Sequence, residues 1–514
     1  MKKFKKIGEK LSMHPIMAFI LLTGFIIILS GILDVFDASV TYNKVNTKTG
    51  GYETTLVTVE SLLNLSGIKY IFSNTVANFV SFTPLSMLLI VLIGISIMDK
   101  SGFLDSIFFV LTKRMPKTVV TFIFTFICII TSLTGDLCFV VLIPLAALLF
   151  KYGKRNPKAG IISAFAALSL GYGMNIVISS VDSTMITTTE YAARIISNMY
   201  TINSSCFIYI MLPATLIGSA LITYVTEKVI APRLGKYESD EEEIVQDKDK
   251  LTRREVKGLL FAGIGALIYL IIFIYNIIPN VPLGGNLLDY SQNRYIDKLF
   301  GYDSFFNSGF VFVITFLFFL CGLLYGFGTK SIKNHHDVCN YLSHSLDDIG
   351  KVIVLLFCSS MFISLLRYTN IGALVTAFLS NIILNSSFTG IPLLLLVLLF
   401  SIISTVLLPS FVNRWNIFSG SVVPAMMSGG FTAEFSQLVF TVGSSIIYPL
   451  TPVMAYFVIY ISFLEKYDKD NVGIIKSIKY MVPYALIILA MWIVLLLLWY
   501  VIGIPLGLSS SSVL

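Results

Sequence analysis

Residues 131–157 read TSLTGDLCFVVLIPLAALLFKYGKRNP. A polar tip, Ser132-Leu133-Thr134-Gly135-Asp136, interrupts an otherwise apolar stretch. Basic clusters close both ends: Lys113-Arg114-Met115-Pro116-Lys117 before it and Lys151-Tyr152-Gly153-Lys154-Arg155 after it. Lysine and arginine in short loops hold those loops on the cytoplasmic side. With both clusters there, the segment between them enters the bilayer, turns at the polar tip and leaves on the side it came from. A hairpin tipped by a carboxylate and hydroxyls is the pattern of an ion or solute site.

The rest of the chain suits such a hairpin. Of 514 residues, 56% are hydrophobic and 13% charged, with mean hydropathy +0.85. Soluble domains carry about 25% charged residues, so this is an integral membrane protein. The formal net charge of +7 sits in loops between apolar runs, where it sets orientation, and nucleic-acid binding is not expected. Cys128, Cys138, Cys206, Cys321, Cys339 and Cys358 are scattered without CxxC spacing, so neither a disulfide framework nor a metal cluster is expected. His335 and His336 near Cys339 lack further ligands. The chain has no HExxH, no Walker A sequence and no GxSxG with a suitable histidine. An enzyme is not expected, and no cofactor is expected beyond Na+ or H+ as coupling ion.

Loop charges order the spans. The lysine-rich start is cytoplasmic, and 15–36 is an uncleaved first span. A polar loop from Asp37 to Asn74 lies outside, and a run over 78–112 returns, interrupted at Asp99-Lys100-Ser101-Gly102. The hairpin over 118–150 follows, then a span over 159–198 broken at Gly171–Asn175 and Ser179–Thr184, then a plain span over 205–228. A charged loop, 227–257, reads as a solvated linker. Beyond it, 258–279 goes outward, 306–328 returns, and an amphipathic stretch, Thr329–Ile349, holds His344 with the other two histidines. The run over 350–386 breaks at Arg367-Tyr368-Thr369-Asn370-Ile371-Gly372. A second hairpin over 390–428 has the tip Pro409-Ser410-Phe411-Val412-Asn413-Arg414-Trp415, and its flanks carry no positive charge. A span over 434–463, broken between Gly443 and Pro452, and a last span over 478–503 leave the C-terminus external.

Each half thus reads as plain span, interrupted span, hairpin, broken span, plain span. The expected fold is an all-α polytopic membrane protein, an inverted-topology repeat of about nine spans with two re-entrant helical hairpins. The first repeat occupies 1–228, the loop, linker span and external loop 229–305, and the inverted second repeat 306–514. Irregular backbone survives at membrane depth only when buried in protein or lining a wet cavity. Inverted repeats gather such pieces near the midplane, where helix N-termini attract anions and freed carbonyls coordinate cations. This is the architecture of a secondary transporter.

Asp136 and Asp182 lie within apolar runs, and each has two readings: a helix or turn cap, or a cation, proton or solute site. Asn413, Arg414 and Trp415 suit an anionic or amide-bearing solute with a ring, or else a structural tip. The candidate solute-binding residues are Asn175, Asp182, Asn413, Arg414, Trp415, Ser444 and Pro452. The candidate ion-coupling residues are Ser132, Thr134, Gly135, Asp136, Asp182, Ser445 and Thr451. An ion channel is the reading from another class, disfavoured because filters repeat identical loops and these tips differ.

At these clusters the sequence resembles the p-aminobenzoyl-glutamate transporter (AbgT) family of the ion transporter superfamily. The likeness is strongest over Gly135–Ala147 and continues through Lys158-Ala159-Gly160, Ala164-Phe165-Ala166, Asn175 and Asp182 to Thr188–Ala193. Asp99-Lys100-Ser101-Gly102 looks like the family's acidic-Lys-Ser-Gly break. The resemblance implies a homodimer in the bacterial inner membrane, each subunit with its own pathway. It also implies p-aminobenzoyl-glutamate uptake or proton-driven sulfonamide export. The second half departs from the family pattern. Asn413-Arg414-Trp415 stands for a small residue, Lys and Trp; Thr441 and Ser444 stand where the family has Arg and Asp; Ala433 stands for a proline. Those changes favour an altered substrate, such as another carboxylate, an amino acid or a peptide.

Overall fold

The computed structural model describes residues 13–46, 50–176, 179–235, 237, 250–292, 295–301, 303–305, 309–347, 349–468, 472–508 and 510–513. The lysine-rich start, and residues 236 and 238–249 of the expected charged linker, fall outside these residues.

Helix α1 (Pro15–Val35) leads into two strands, β1 (Ser39–Asn46) and β2 (Gly51–Thr58), and then α2 (Leu65–Val80). The stretch expected as a polar loop is therefore a two-stranded ribbon followed by the start of a helix, a correction to the loop reading and to a fold without strands. The strands pair antiparallel from Ser39↔Thr58 to Asn46↔Gly51. Their β-branched residues and the intervening Gly50-Gly51 favour this.

The run expected over 78–112 is two helices, α3 (Thr83–Ser101) and α4 (Phe103–Arg114), parted by Gly102. Gly102 adopts φ 86°, a left-handed conformation that costs glycine nothing extra. Next come α5 (Lys117–Thr131), a tight turn at Ser132–Thr134, and α6 (Leu137–Tyr152). Then follow α7 (Pro157–Gly171), α8 (Ser180–Arg194) and α9 (Ile208–Val225), the last prolonged by a π turn to Leu234. After the linker come α10 (Arg253–Asn276), the short α11 (Tyr295–Phe300), α12 (Phe310–Thr329) and α13 (His335–Ser343).

The second half opens with α14 (Gly350–Tyr368) and α15 (Ile371–Leu384), parted at Asn370, whose φ of 56° is also left-handed. Helices α16 (Gly390–Leu407) and α17 (Phe411–Ser428) flank the second tip. The chain ends with α18 (Ala433–Ile447), a turn at Tyr448–Leu450, α19 (Phe457–Lys466) and α20 (Ile474–Ile502).

Among the described residues, nine helical stretches are long and apolar enough to cross a bilayer. They include α5 and α16 but not the broken pairs α7–α8 and α18–α19, so the number agrees with the expectation while the membership differs. The broken helices are instead the centre of the molecule. Every residue of α7 except Lys158, and every residue of α18 except Ile447, is buried. A helix covered on all sides has no outward face. These two pack together at their ends, where a methyl group on Gly173 would lie 2.3 Å from Ser445 Oγ. The outer helices α1 and α10 are the opposite case, with only 17% of their most apolar windows buried.

Candidate functional site

The break after α7 brings Tyr172 beside the first tip. Its hydroxyl donates to Asp136 Oδ1 at 2.6 Å. Its ring stacks on Phe411, which opens α17, at 5.3 Å, and meets Tyr448, in the break after α18, edge-on at 5.3 Å. Phe411 and Tyr448 close the triangle at 5.4 Å. One cluster thus holds both tips and both breaks, and edge-to-face and offset pairs of this kind favour a fixed mutual geometry.

Over this cluster lies a cavity of about 690 Å³. Gly135 and Asp136 border it from the first tip, Pro409 to Asn413 from the second. Tyr172, Tyr448 and Tyr456 contribute aromatic wall; Asn370, Asn413 and Asn416 contribute amides. The residues that lead into α6 and the N-terminal turn of α17 therefore border the same space. Helix N-termini carry partial positive charge and unsatisfied N–H groups, which suit an anion. A smaller cavity of about 230 Å³ adjoins it, sharing Asp136, Arg367 and Tyr456 as walls.

The other expected residues fall into two groups. Around the first tip, Asn175 Nδ2 donates to Ser132 Oγ at 3.0 Å and to the Ile129 and Ile130 carbonyls at 3.2 and 3.1 Å. Asn175 and Ser132 together thus close the C-terminal end of α5, satisfying carbonyls the helix leaves open. Thr134 donates to the Thr131 carbonyl at 2.9 Å and meets Cys138 Sγ. Gly135, at φ 71°, lets the chain turn into α6. Asp182 caps α8 reciprocally: its Oδ2 accepts from the Ser179 amide and hydroxyl at 3.0 and 2.7 Å, and its own amide donates to Ser179 Oγ. Asp182 does not border the cavity, although its neighbour Val181 does.

Around the second tip, Arg414 and Trp415 are wholly buried behind the cavity wall. Arg414 Nη1 donates to Ser444 Oγ at 2.8 Å and to the Ser401 carbonyl at 3.3 Å. Its guanidinium lies over Phe440 at 5.0 Å and Phe411 at 5.4 Å. It forms no ion pair among the described residues. Trp415 Nε1 donates to Thr189 Oγ1 at 2.9 Å, which in turn donates to Gln437 Oε1 at 2.6 Å. This chain joins α17, α8 and α18. Ser445 meets Gly173, and Thr451 Oγ1 donates to the Val406 carbonyl at 2.8 Å, joining the second break to the end of α16. Pro452 lies beside Val453, which borders the cavity, without bordering it itself. Of the expected residues, Gly135, Asp136 and Asn413 reach the cavity.

Across all 514 residues the chain matches the family model described as the AbgT putative transporter family. The chain belongs to the AbgT family. Among curated proteins, this AbgT-family chain is similar to the p-aminobenzoyl-glutamate transport protein of Escherichia coli K12, at 28% identity over 513 residues, 98% of this chain and 95% of that protein. Among solved structures it is similar to MtrF of Neisseria gonorrhoeae, described as illuminating a class of antimetabolite efflux pumps. That likeness has 29% identity and a TM-score of 0.51 over 98% of this chain and 97% of MtrF. The YdaH transporter of Alcanivorax borkumensis is similar at 28% identity and a TM-score of 0.49, over 96% of this chain and 100% of that one. This AbgT-family member is a membrane transporter, not an enzyme.

Several cavity residues were not among those expected from the sequence. Tyr172, Tyr448 and Phe411 lie inside stretches the sequence marks as breaks or tips, so their position was legible and their convergence was not. Arg367 and Asn370 belong to a third marked break. Tyr42 and Lys44 border the cavity from β1; their one signal was the β-branched pattern of a segment read as loop.

Proposed function

We propose that this chain is a secondary active transporter of a small organic anion, driven by a proton or sodium gradient. Uptake of p-aminobenzoyl-glutamate and export of a sulfonamide antimetabolite are its leading assignments. The observation that carries the reading is the single cavity bordered by both tips. Its volume suits a small-molecule site, and tyrosines, amides and two helix N-termini suit an anionic aromatic amide. The names of the two relatives, a p-aminobenzoyl-glutamate transport protein and an antimetabolite efflux pump, support it. In proteoliposomes, labelled p-aminobenzoyl-glutamate and a sulfonamide should each be tested under imposed proton and sodium gradients. Saturable flux that collapses with one gradient is expected. Gradient-independent flux with single-channel currents would overturn it.

A second reading keeps the mechanism and changes the solute to another carboxylate, an amino acid or a peptide. It is favoured by Thr441 and Ser444, and by Arg414 turning to the Ser444 hydroxyl. A thermal-shift screen of folate fragments, dicarboxylates and dipeptides, with and without sodium, separates the two.

The same reading includes alternating access between inverted halves, a homodimer in the bacterial inner membrane, a cytoplasmic N-terminus and an external C-terminus. The flanking charge of the two hairpins and the left-handed breaks at Gly102 and Asn370 support the inverted halves. The apolar surface left open on α10 is available to lipid or to a second subunit.

A further inference from the structure

Two cations border the main cavity, and they come from distant parts of the chain: Lys44 on β1 and Arg367 at the end of α14. Both residues are exposed. Neither forms an ion pair among the described residues. Glu53 faces Lys44 across the ribbon register, but it is not in ion-pair contact and does not border the cavity. Asp136 is the carboxylate in the wall, and it accepts the Tyr172 hydroxyl.

The ribbon is fixed where it puts Lys44. Asn381 Nδ2 donates to the Thr41 carbonyl at 2.7 Å. The Glu60 amide donates to the Thr369 carbonyl at 3.1 Å, and Asn370 Nδ2 donates to the Thr58 carbonyl at 3.4 Å. The open end of the ribbon is thus tied to α15 and to the break that carries Arg367. Two like charges bordering one space repel each other, and a partner with two negative charges relieves both at once.

We propose that Lys44 and Arg367 form a paired-cation subsite that selects solutes carrying two carboxylates over those carrying one. The inference rests on the organic-anion reading above and names its substrate class as a dicarboxylate. Arg367 also borders the adjoining smaller cavity, so it sits where a second carboxylate extends beyond the main space.

The test is equilibrium binding to the full-length protein in nanodiscs. The probes are p-aminobenzoyl-glutamate and glutarate, each beside its monoamide. The wild type should bind each dianion at least about tenfold more tightly than its amide, with the preference shrinking as salt rises. In K44Q/R367Q the preference should fall below about threefold, while the swap K44R/R367K retains it. Thermal unfolding of each variant checks that the fold is kept. Glutarate binding with the expected variant pattern but no p-aminobenzoyl-glutamate binding would refute that assignment and uphold the subsite. An unchanged preference in K44Q/R367Q overturns the subsite and leaves the transport reading intact. Failure of the wild type to favour either dianion also overturns it.

Discussion

Tyr172 sits where four pieces of chain meet, and its hydroxyl is the link between the first tip and the aromatic cluster. Tyr172→Phe keeps the ring contacts and removes only the donor to Asp136. It should cut flux about tenfold or more and also lower the unfolding temperature, since a hydrogen bond to a charged group is worth roughly 1.5–3 kcal/mol. Asp182→Asn is a sharper experiment. An amide oxygen still accepts from the Ser179 amide and hydroxyl, so the cap on α8 is preserved while the charge is lost. Solute flux in proteoliposomes should be abolished at normal expression; wild-type flux would make Asp182 a cap and nothing more. Thr189→Val works in the other direction. It leaves the Trp415 indole N–H and the Gln437 carbonyl oxygen buried without that partner, at about 1–3 kcal/mol each, and should lower the unfolding temperature in detergent. At this scale the sequence was a partial guide. It picked Asp136 because a carboxylate in an apolar run is costly, yet it could not say that Trp415 turns to Thr189 and Phe440, because side-chain direction depends on neighbours hundreds of residues away.

The helix breaks were the most legible elements. Polar and glycine-containing interruptions in apolar runs fell where the helices end, at Gly102, Ser132–Thr134, Gly171, Asn370, Leu407 and Ile447. A bilayer tolerates no casual irregularity, so each interruption had to mean something. The ribbon was the element missed. It belongs to no hydropathy argument, and its strands gain their place only by packing on α15 and α17. That packing is close: any side chain on Gly420 would drive its Cβ to 2.0 Å from the Asn43 carbonyl oxygen. Gly420→Val should therefore lift β1 from α17. The measurable result is faster amide exchange across residues 39–58 and lost solute binding, with overall helicity retained. The break at Asn370 offers a gentler probe of the same wall. Both Asn370→Gly and Asn370→Val lose the amide donor to Thr58, but glycine is at ease at the left-handed φ, whereas valine should cost roughly 1–2 kcal/mol more.

For the whole molecule, charge bookkeeping is what makes a hairpin re-entrant rather than spanning, and topology can be read directly. In a cysteine-free background, single cysteines at Lys117 and Lys154 should both be shielded from an impermeant maleimide in intact cells, and cysteines at Ser387 and Ser428 both labelled. Opposite accessibility within either pair would turn that hairpin into two crossings. The fold was readable from the sequence because the solvent changes along the chain: apolar runs, charged loops and polar breaks each have only one place to go. The cavity was less readable because its wall is assembled from both tips, three breaks and a ribbon, and the sequence does not say that these pieces converge.

Asn381 and Thr41, which pin the ribbon in place, lie 340 residues apart in the chain. At about 5–20 residues per second, a ribosome finishes the ribbon well over ten seconds before its docking surface exists. A lone two-stranded hairpin is marginal in water. The ribbon is therefore finished long before it can settle, and a product cut short of Asn381 lacks the surface on which the ribbon docks.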